Sequence, residues 1–168
     1  MKQEIYILDT GLASVGDSSV IDGYTQINSG NQLLVYANDV GMSIGKANTA
    51  DPSIGKHDAN YYYEEGVVSH NSVANRSFSL SGSLDVKQTT HKTQVANLIK
   101  LIRSPAVFGF KNEITKWDDN PNSSATVVGQ SEFTAGTYVY VTFINLELVC
   151  SADDKNIIDW TMDVVFTK

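Results

Sequence analysis

The chain has 168 residues, a length that suits one domain, and its 12 Lys and Arg against 19 Asp and Glu give a formal charge of −7. An acidic chain with only two Arg is poorly suited to gripping duplex DNA, because affinity for phosphate comes from clustered Lys and Arg. We expect no membrane span, no secretion signal and, with Cys150 as the single cysteine, no internal disulfide.

Several segments have the alternating or β-branched composition of strands. Ser77–Val86 is the clearest, because apolar residues alternate with serines and so predict one buried face and one hydroxyl-rich face. Gly82 interrupts its apolar row, which indicates a bulge or a close packing contact. In chain order, the predicted strands are 4–8, 33–37, 66–69, 77–86, 106–111, 125–128, 137–150 and 158–166.

Segment 137–150 differs from the others because its first half is apolar on both faces. Such a strand is covered on both sides, either centrally in a sheet or at a contact between subunits. We expect Cys150, at its end, to behave as a small buried hydrophobe. Residues 151–156 read as the turn of a C-terminal hairpin that leads into 158–166.

One amphipathic helix is predicted over 90–103, inserted between strands. Thr89 or Thr90 would cap its start, and Ser104-Pro105 would end it. The predicted apolar face, at positions i, i+3, i+4 and i+7, comprises Val95, Leu98, Ile99 and Ile102.

Together these elements predict a single mainly β domain over residues 1–168, either a β-sandwich or a small β-barrel with one flanking helix. Residues 41–66 have no regular pattern and would form a long irregular loop or an extended hairpin. Within them Ser43-Ile44-Gly45-Lys46 recurs as Ser53-Ile54-Gly55-Lys56.

Catalytic and metal-binding motifs are weak throughout the chain. The Gly-Lys pairs lack the spacing of a phosphate loop, and the three histidines His57, His70 and His91 lack the spacing of metal ligands. The segment Asp118–Asn122 could wrap a calcium ion, although a turn explains it more simply. We therefore predict no enzymatic activity and no cofactor.

Aromatic side chains near the long loop are better candidates for function. Tyr61-Tyr62-Tyr63 could stack on sugar rings, but exposed loop aromatics are also common anchors of protein interfaces, and we favour the second interpretation. The predicted subunit-interface residues are Ile44, Ile54, Tyr61, Tyr62, Tyr63, Tyr138 and Tyr140.

The segment Arg76–Val86 followed by the helix, and Tyr138–Cys150 followed by Ile158–Phe166, resemble the tail tube proteins of tailed bacterial and archaeal viruses. The resemblance covers residues 66–168 at the level of pattern. It implies a β-sandwich or small barrel with a flanking helix, assembled into stacked hexameric rings around a lumen that conducts DNA. It implies no named functional residues.

The resemblance also implies the partners: further copies of the chain, other tail proteins, and viral DNA that passes without specific contacts. The protein would be made in the host cytoplasm and would reside in the virion tail, and loop 41–66 would reach a neighbouring ring or subunit. The acid surplus lies at the chain ends, so residues 1–39 and 147–163 would supply the negative surface that faces DNA.

Two other classes stay open. A monomeric carbohydrate-binding or adhesion module would use Tyr61–Tyr63 and Trp117 to bind glycans. A small β-barrel enzyme with dispersed carboxylates is less favoured, because no convergent motif supports it.

Overall fold

A computed structural model describes residues 2–27, 32–50, 68–115, 133 and 137–167. The chain is mainly β with a single helix in these residues, which confirms the predicted fold class. Predicted strand 125–128 lies outside the described residues. The elements are β1 Gln3–Asp9, β2 Leu33–Ala37, β3 Asp39–Ala50, β4 Val68–Asp85, α1 Thr89–Arg103, β5 Phe108–Lys111, β6 Val139–Cys150 and β7 Ile157–Phe166.

Segment 41–66 begins within a strand. Its first ten residues, 41–50, belong to strand β3, which agrees with the extended hairpin among the two predicted alternatives and not with the irregular loop. Residues 51–66 lie outside the described residues. The reason the pattern misleads is that Gly, Ser, Lys and Asn carry a low strand propensity, which pairing with a neighbouring strand overrides.

The chain divides into two compact units, Met1–Met42 with Ser77–Lys168, and Ser43–Arg76. The smaller unit contains the extended backbone of 43–50 in β3 and of 68–76 in β4. The prediction of a single domain over 1–168 stays a prediction, because compactness alone does not decide whether a unit folds independently.

All the strands belong to one sheet, and in the larger unit that sheet curls on itself. The strand order is β2-β1-β5-β6-β7-β4-β3, so β2 and β3 lie at opposite ends although only Asn38 separates them in the chain. The Asn38 N–H donates to the Ser81 carbonyl of β4 over 2.8 Å. Phe78 of β4 stacks on Phe110 of β5 with ring centroids 4.6 Å apart, although β6 and β7 lie between their strands. The sheet therefore wraps around its core as a partly open barrel.

Helix α1 bridges the gap between β2 and β4. The Gln94 Nε2 donates to the Tyr36 carbonyl over 3.0 Å, and the Tyr36 N–H donates to Gln94 Oε1 over 3.3 Å. On the other side of the gap, the Asp85 N–H of β4 donates to His91 Nδ1 over 3.1 Å. These side chains satisfy backbone groups that would otherwise be left open at the edges of the sheet.

The main core lies on the concave face of the sheet. Six strands each point alternate side chains into this core, where they meet side chains of the helix. This is the arrangement that the alternation of side chains along a strand produces. Its largest fully buried members are Trp160, Phe78, Phe108, Phe110, Ile5, Ile7, Leu80, Leu84, Leu98, Leu101 and Met162. Trp160 and Phe78 come from the two strands whose alternation was clearest in the sequence.

The helix packs Val95, Leu98 and Ile102 of the predicted apolar face against the main core, and it also buries Gln94 and Leu101, which were not predicted. Its buried residues are Gln94, Leu98 and Leu101, whereas Ile99 is only half-buried. The apolar pattern missed Gln94 because this residue is buried for its hydrogen bonds rather than for its hydrophobicity. The predicted Thr cap is also wrong, since the N-cap residue is Gln88, which makes no side-chain cap bond.

A second, smaller core covers part of the convex face. Leu8, Val107, Phe133, Tyr138 and Tyr140 are buried together, beneath residues of the segment that joins β1 to β2. Strand β6 is thus covered on both faces over its first half, as its apolar composition predicts. In the described part of the chain, no helix has the length and apolar character that a membrane crossing requires.

Replacing Gly82 by Ala should destabilise the barrel. Gly82 pairs with Trp160 in an uninterrupted register, so it marks a close contact and not a bulge, and an added Cβ would lie 2.7 Å from the indole Nε1. Displacing a buried indole should cost about 1–3 kcal/mol of unfolding free energy, measured by denaturant titration. Gly41→Ala is the matched control, because its Cβ would meet nothing closer than 3.9 Å. Equal effects of the two variants would contradict the packing argument.

Gln94→Glu should destabilise the protein in a pH-dependent way. At pH 7 the introduced carboxylate would lose the donor to the Tyr36 carbonyl, which should cost about 1–3 kcal/mol. Burial beside a carbonyl raises the pKa of the introduced acid in the folded state, so the loss should shrink as the pH falls and the acid becomes a donor.

The control is Gln88→Glu, an exposed change on the same helix that should alter stability little. Unfolding titrations at pH 7 and pH 4 distinguish the two variants. A Gln94→Glu loss that is the same at both pH values would show that the bidentate bond is unimportant.

Candidate functional site

The convex face of β4, β7 and the second half of β6 is polar and acidic. The strand register places Asp159 and Asp163 between the serines of β4 and the Asn145 and Glu147 positions of β6. We call this surface the acidic face; its polar members are Ser77, Ser79, Ser81, Ser83, Asn145, Glu147, Asp159, Thr161 and Asp163. On β4 and β7 these positions are opposite in parity to the core residues, and on β6 the register shift between Phe143 and Asn145 places Asn145 and Glu147 on the same face. All of them are exposed or half-buried.

Two of the three acids on the acidic face are held by neighbouring side chains. Asn145 Nδ2 donates to Asp163 Oδ2 over 3.3 Å, and the Ser83 hydroxyl donates to Asp159 Oδ1. None of the positions that make up the acidic face is a Lys or Arg. A surface with hydroxyls, amides and carboxylates but no cation cannot hold phosphates, since those require clustered positive charge.

Strand β6 has an open edge along its second half. Strand β5 pairs with it only at Val139–Val141, whereas β7 pairs with it from Val141 to Cys150. From Thr142 onward, no other strand of the described chain runs beside the opposite edge of β6. Unpaired N–H and C=O groups along a strand form a template for a further strand. We call residues 142–150 the open edge of β6.

Exposed apolar side chains coincide with this open edge. Ile144 is 56% exposed at a register shift between Phe143 and Asn145, and Val149 is 50% exposed. Leu148 is 37% exposed on the opposite face of the strand. Five large hydrophobic residues are exposed in the described chain, and three of them lie within the open edge of β6. Exposed apolar side chains concentrated in this way are typical of contact surfaces, whereas single scattered ones are ordinary.

Cys150 ends the open edge and is exposed, so the expectation that it is buried was wrong. Its Sγ lies 3.4 Å from the Lys155 carbonyl in the turn before β7. The cause is tertiary: β6 extends beyond its partner β5, and its last residues, 147–150, are exposed.

A buried hydrogen-bonded cluster is the other candidate for chemistry. Asp9, 3% exposed, accepts bonds from the Gly11 and Ile27 N–H groups over 2.9 and 2.8 Å. The Tyr24 hydroxyl donates to Asp9 over 2.5 Å and also contacts the Ser104 hydroxyl at 2.5 Å. Since a phenol has one proton, Ser104 must be the donor in its contact with Tyr24.

This arrangement disfavours a catalytic role. Every proton in the chain of bonds from Ser104 through Tyr24 to Asp9 is directed at the carboxylate, so neither hydroxyl is free to act as a nucleophile. Burial and the hydrogen bond to Asp9 raise the pKa of Tyr24 from 10.0 to about 12, which keeps the phenol protonated. The cluster therefore anchors the segment between β1 and β2 to the barrel.

The sequence contained a signal for this cluster. Asp9 continues the alternation of Ile5 and Ile7 and so falls on the buried face of β1. An acid at such a position must find donors. Nothing in the local pattern indicated that Tyr24 and Ser104 would meet it, because they are distant in the chain.

Tyr24→Phe should lower the free energy of unfolding near neutral pH. The free energy of unfolding of the variant should also depend less on pH in the alkaline range. The change leaves Ser104 without its acceptor and Asp9 without one donor, which should cost about 1–3 kcal/mol. The pKa of Tyr24 is higher in the folded protein, so its contribution is present below pH 10 and is lost as the pH rises toward 12.

Unfolding titrations between pH 8 and 11.5, a range set by that pKa, test this prediction. The difference in unfolding free energy between the wild type and Tyr24→Phe should narrow as the pH rises. A constant difference across the range would contradict the assigned donor order. Tyr36→Phe is the control, because Tyr36 is partly exposed and its hydroxyl lies outside this cluster.

The predicted interface residues fall into three groups. Tyr138 and Tyr140 are 0% and 4% exposed in the chain's own second core, and their role at an interface stays a prediction. Ile44 lies in β3, in a part where the backbone alone is described. Ile54 and Tyr61–Tyr63 lie outside the described residues, as do Trp117 and Asp118–Asn122.

No protein-family model matches the chain, and no curated protein matches it either. Among the described residues, no group of three or more His, Cys, Asp and Glu side chains could hold a metal ion.

Proposed function

We propose that the protein is a structural virion protein that self-assembles into stacked rings, which form the tail tube through which viral DNA passes. The observation that carries the proposal is the second half of β6, where an open strand edge with exposed apolar side chains borders the acidic face.

The open edge supports self-assembly. No other strand of the described residues pairs with this edge of β6 over 142–150, and Ile144 and Val149 line it. Such an edge would favour association with another chain in water. Heterologous contacts between identical subunits close into rings when the rotation permits, and rings can then stack. In the proposed ring the partner of this edge is another copy of the chain.

The acidic face supports a conduit for DNA. Duplex DNA carries roughly one negative charge per 1.7 Å of its axis. A wall of Ser, Thr, Asn and carboxylate side chains repels that charge weakly and offers no cation to retain it. In this proposal Glu147, Asp159 and Asp163 face the lumen, within the 147–163 region of acid surplus.

The proposal extends to the remaining expectations: hexameric rings, contacts with other tail proteins, residence in the virion tail and no enzymatic activity. The alternative, a monomeric carbohydrate-binding or adhesion module, requires that the open edge of β6 stay unoccupied in solution. Size-exclusion chromatography with negative-stain electron microscopy distinguishes the two. Rings or tubes support the proposal, and a monomer at every salt concentration would overturn it.

Val149→Lys should prevent assembly, because a lysine on an exposed strand edge opposes edge-to-edge pairing. Val20→Lys is the matched control: Val20 is 47% exposed against 50% for Val149, but it lies between β1 and β2. We expect the first variant to elute as a folded monomer and the second to assemble like the wild type. Assembly by Val149→Lys would exclude the open edge of β6 as the contact.

The single native cysteine reports on the same contact. Cys150 is exposed at the end of the open edge, so a maleimide should label it rapidly in the monomeric Val149→Lys variant. Labelling should be slower in assembled wild type by about tenfold or more if a neighbouring chain covers this edge. Equal labelling rates would place the contact elsewhere.

A further inference from the structure

A surface groove of about 580 Å³ runs between β2 and the first half of α1. Leu34 and Tyr36 of β2 form one side, and Thr90, Thr93 and Asn97 are among the helix residues on the other. The volume lies within the range of roughly 300–1,000 Å³ that small-molecule sites occupy. The groove is separate from both the acidic face and the open edge of β6.

The two sides of the groove are held together before any ligand binds. Gln94 bonds to both backbone groups of Tyr36, which ties the helix to β2 in the middle of the groove. His91 is held in turn by the Asp85 N–H. A groove whose walls are already fixed loses little conformational entropy on binding, so that modest contacts suffice for recognition.

An extended peptide does not suit this groove. Peptides that bind beside an edge strand pair with its backbone, and they need a run of free N–H and C=O groups. Here Gln94 occupies the N–H and the C=O of Tyr36, and these are the groups that a further strand would require. The strand edge is therefore interrupted in the centre of the groove.

The polar groups of the groove are neutral. Its lining contains Thr hydroxyls, the Asn97 amide and the His91 imidazole, but no Lys, Arg, Asp or Glu. His91 Nδ1 accepts the Asp85 N–H, so in the neutral ring Nε2 carries the proton and is a donor. Lys2 Nζ, 3.5 Å from Nε2, is also a donor and cannot bond to it. No Lys or Arg is therefore part of the lining itself, and Lys2 lies beside it at His91.

Tyr36 supplies an aromatic surface to the groove. It is 37% exposed, although it lies in a strand whose neighbours Val35 and Ala37 are fully buried. An exposed ring beside neutral donors and acceptors matches a molecule with an apolar face and a rim of hydroxyls. A sugar ring has both, since its C–H bonds cover one face and its hydroxyls project around it.

We propose that the groove between β2 and α1 binds a neutral saccharide, with the Tyr36 ring against the sugar and Thr90, Thr93 and Asn97 as hydrogen-bonding partners. This site is independent of the assembly proposed above. It also differs from the glycan-binding aromatics expected from the sequence, which lie at 61–63 and 117.

Saturation-transfer difference NMR tests the proposal, because it observes the sugar and works for both monomers and large assemblies. The probes are the methyl glycosides and disaccharides of glucose, galactose, mannose and N-acetylglucosamine, with sialic acid and a short apolar peptide as the charged and peptidic comparisons. We expect transfer to at least one neutral sugar, and no transfer to sialic acid or the peptide.

Tyr36→Ala should weaken binding of that sugar by about tenfold, and Tyr36→Phe should retain it because the ring face remains. Val20→Ala is the control, since Val20 is 47% exposed but lies between β1 and β2, outside the groove lining. Unfolding titrations establish that each variant is folded. Absence of transfer to every neutral sugar would overturn the proposal, as would preferential binding of the peptide or unchanged binding in Tyr36→Ala. None of these outcomes bears on ring formation by β6.

Discussion

The bond between one helix side chain and one strand backbone determines how this sheet closes. A sheet that wraps around its core must satisfy the N–H and C=O groups at its two ends, and here β2 and β4 do not pair with one another. The Gln94 amide takes the place of the missing strand at Tyr36, and His91 does the same for the end of β4. Because both side chains belong to α1, the helix closes the barrel and covers its core at once. The same bonds fix the walls of the groove proposed as a saccharide site.

Whereas α1 closes the sheet at one side of the barrel, the unequal lengths of β5 and β6 leave a strand edge open at the other side. Strand β5 has four residues and β6 has twelve, so β6 continues beyond its partner, and along 142–150 no other described strand runs beside its second edge. Exposed apolar side chains and an alternating acidic surface meet there. A monomer would leave this edge in water, whereas a ring would use it. The proposed tail tube assembly therefore rests on strand length as much as on composition, and the acidic surface gives the assembly a wall past which DNA can slide.

Side-chain alternation was predictive wherever a strand has one buried face. It located β4 and β7 and left either a bulge or a close packing contact at Gly82, of which the structure shows the close contact with Trp160. It was less decisive for strand 137–150: the expected burial of Cys150 was wrong, and the interface role of Tyr138 and Tyr140 stays a prediction. An apolar strand shows that something covers it, but not whether the cover is a second core of its own chain or another subunit. Tyr138 and Tyr140 are covered from within, and Cys150 by nothing in the described chain.

Local physics acting along the chain thus decided most of the elements by itself, with period-2 patterns for strands that have one buried face, a period of 3.6 for the helix, and a helix end before Pro105; it did not find β3. It also decided that the chain is acidic and poor in cations. The tertiary structure alone decided which strand lies beside which, and so where an edge is open. It brought Asp9, Tyr24 and Ser104 together and turned Gln94 inward. These outcomes depend on pairings between residues far apart in sequence, whose free energy arises only once the sheet has curled, so no window of local sequence contains them.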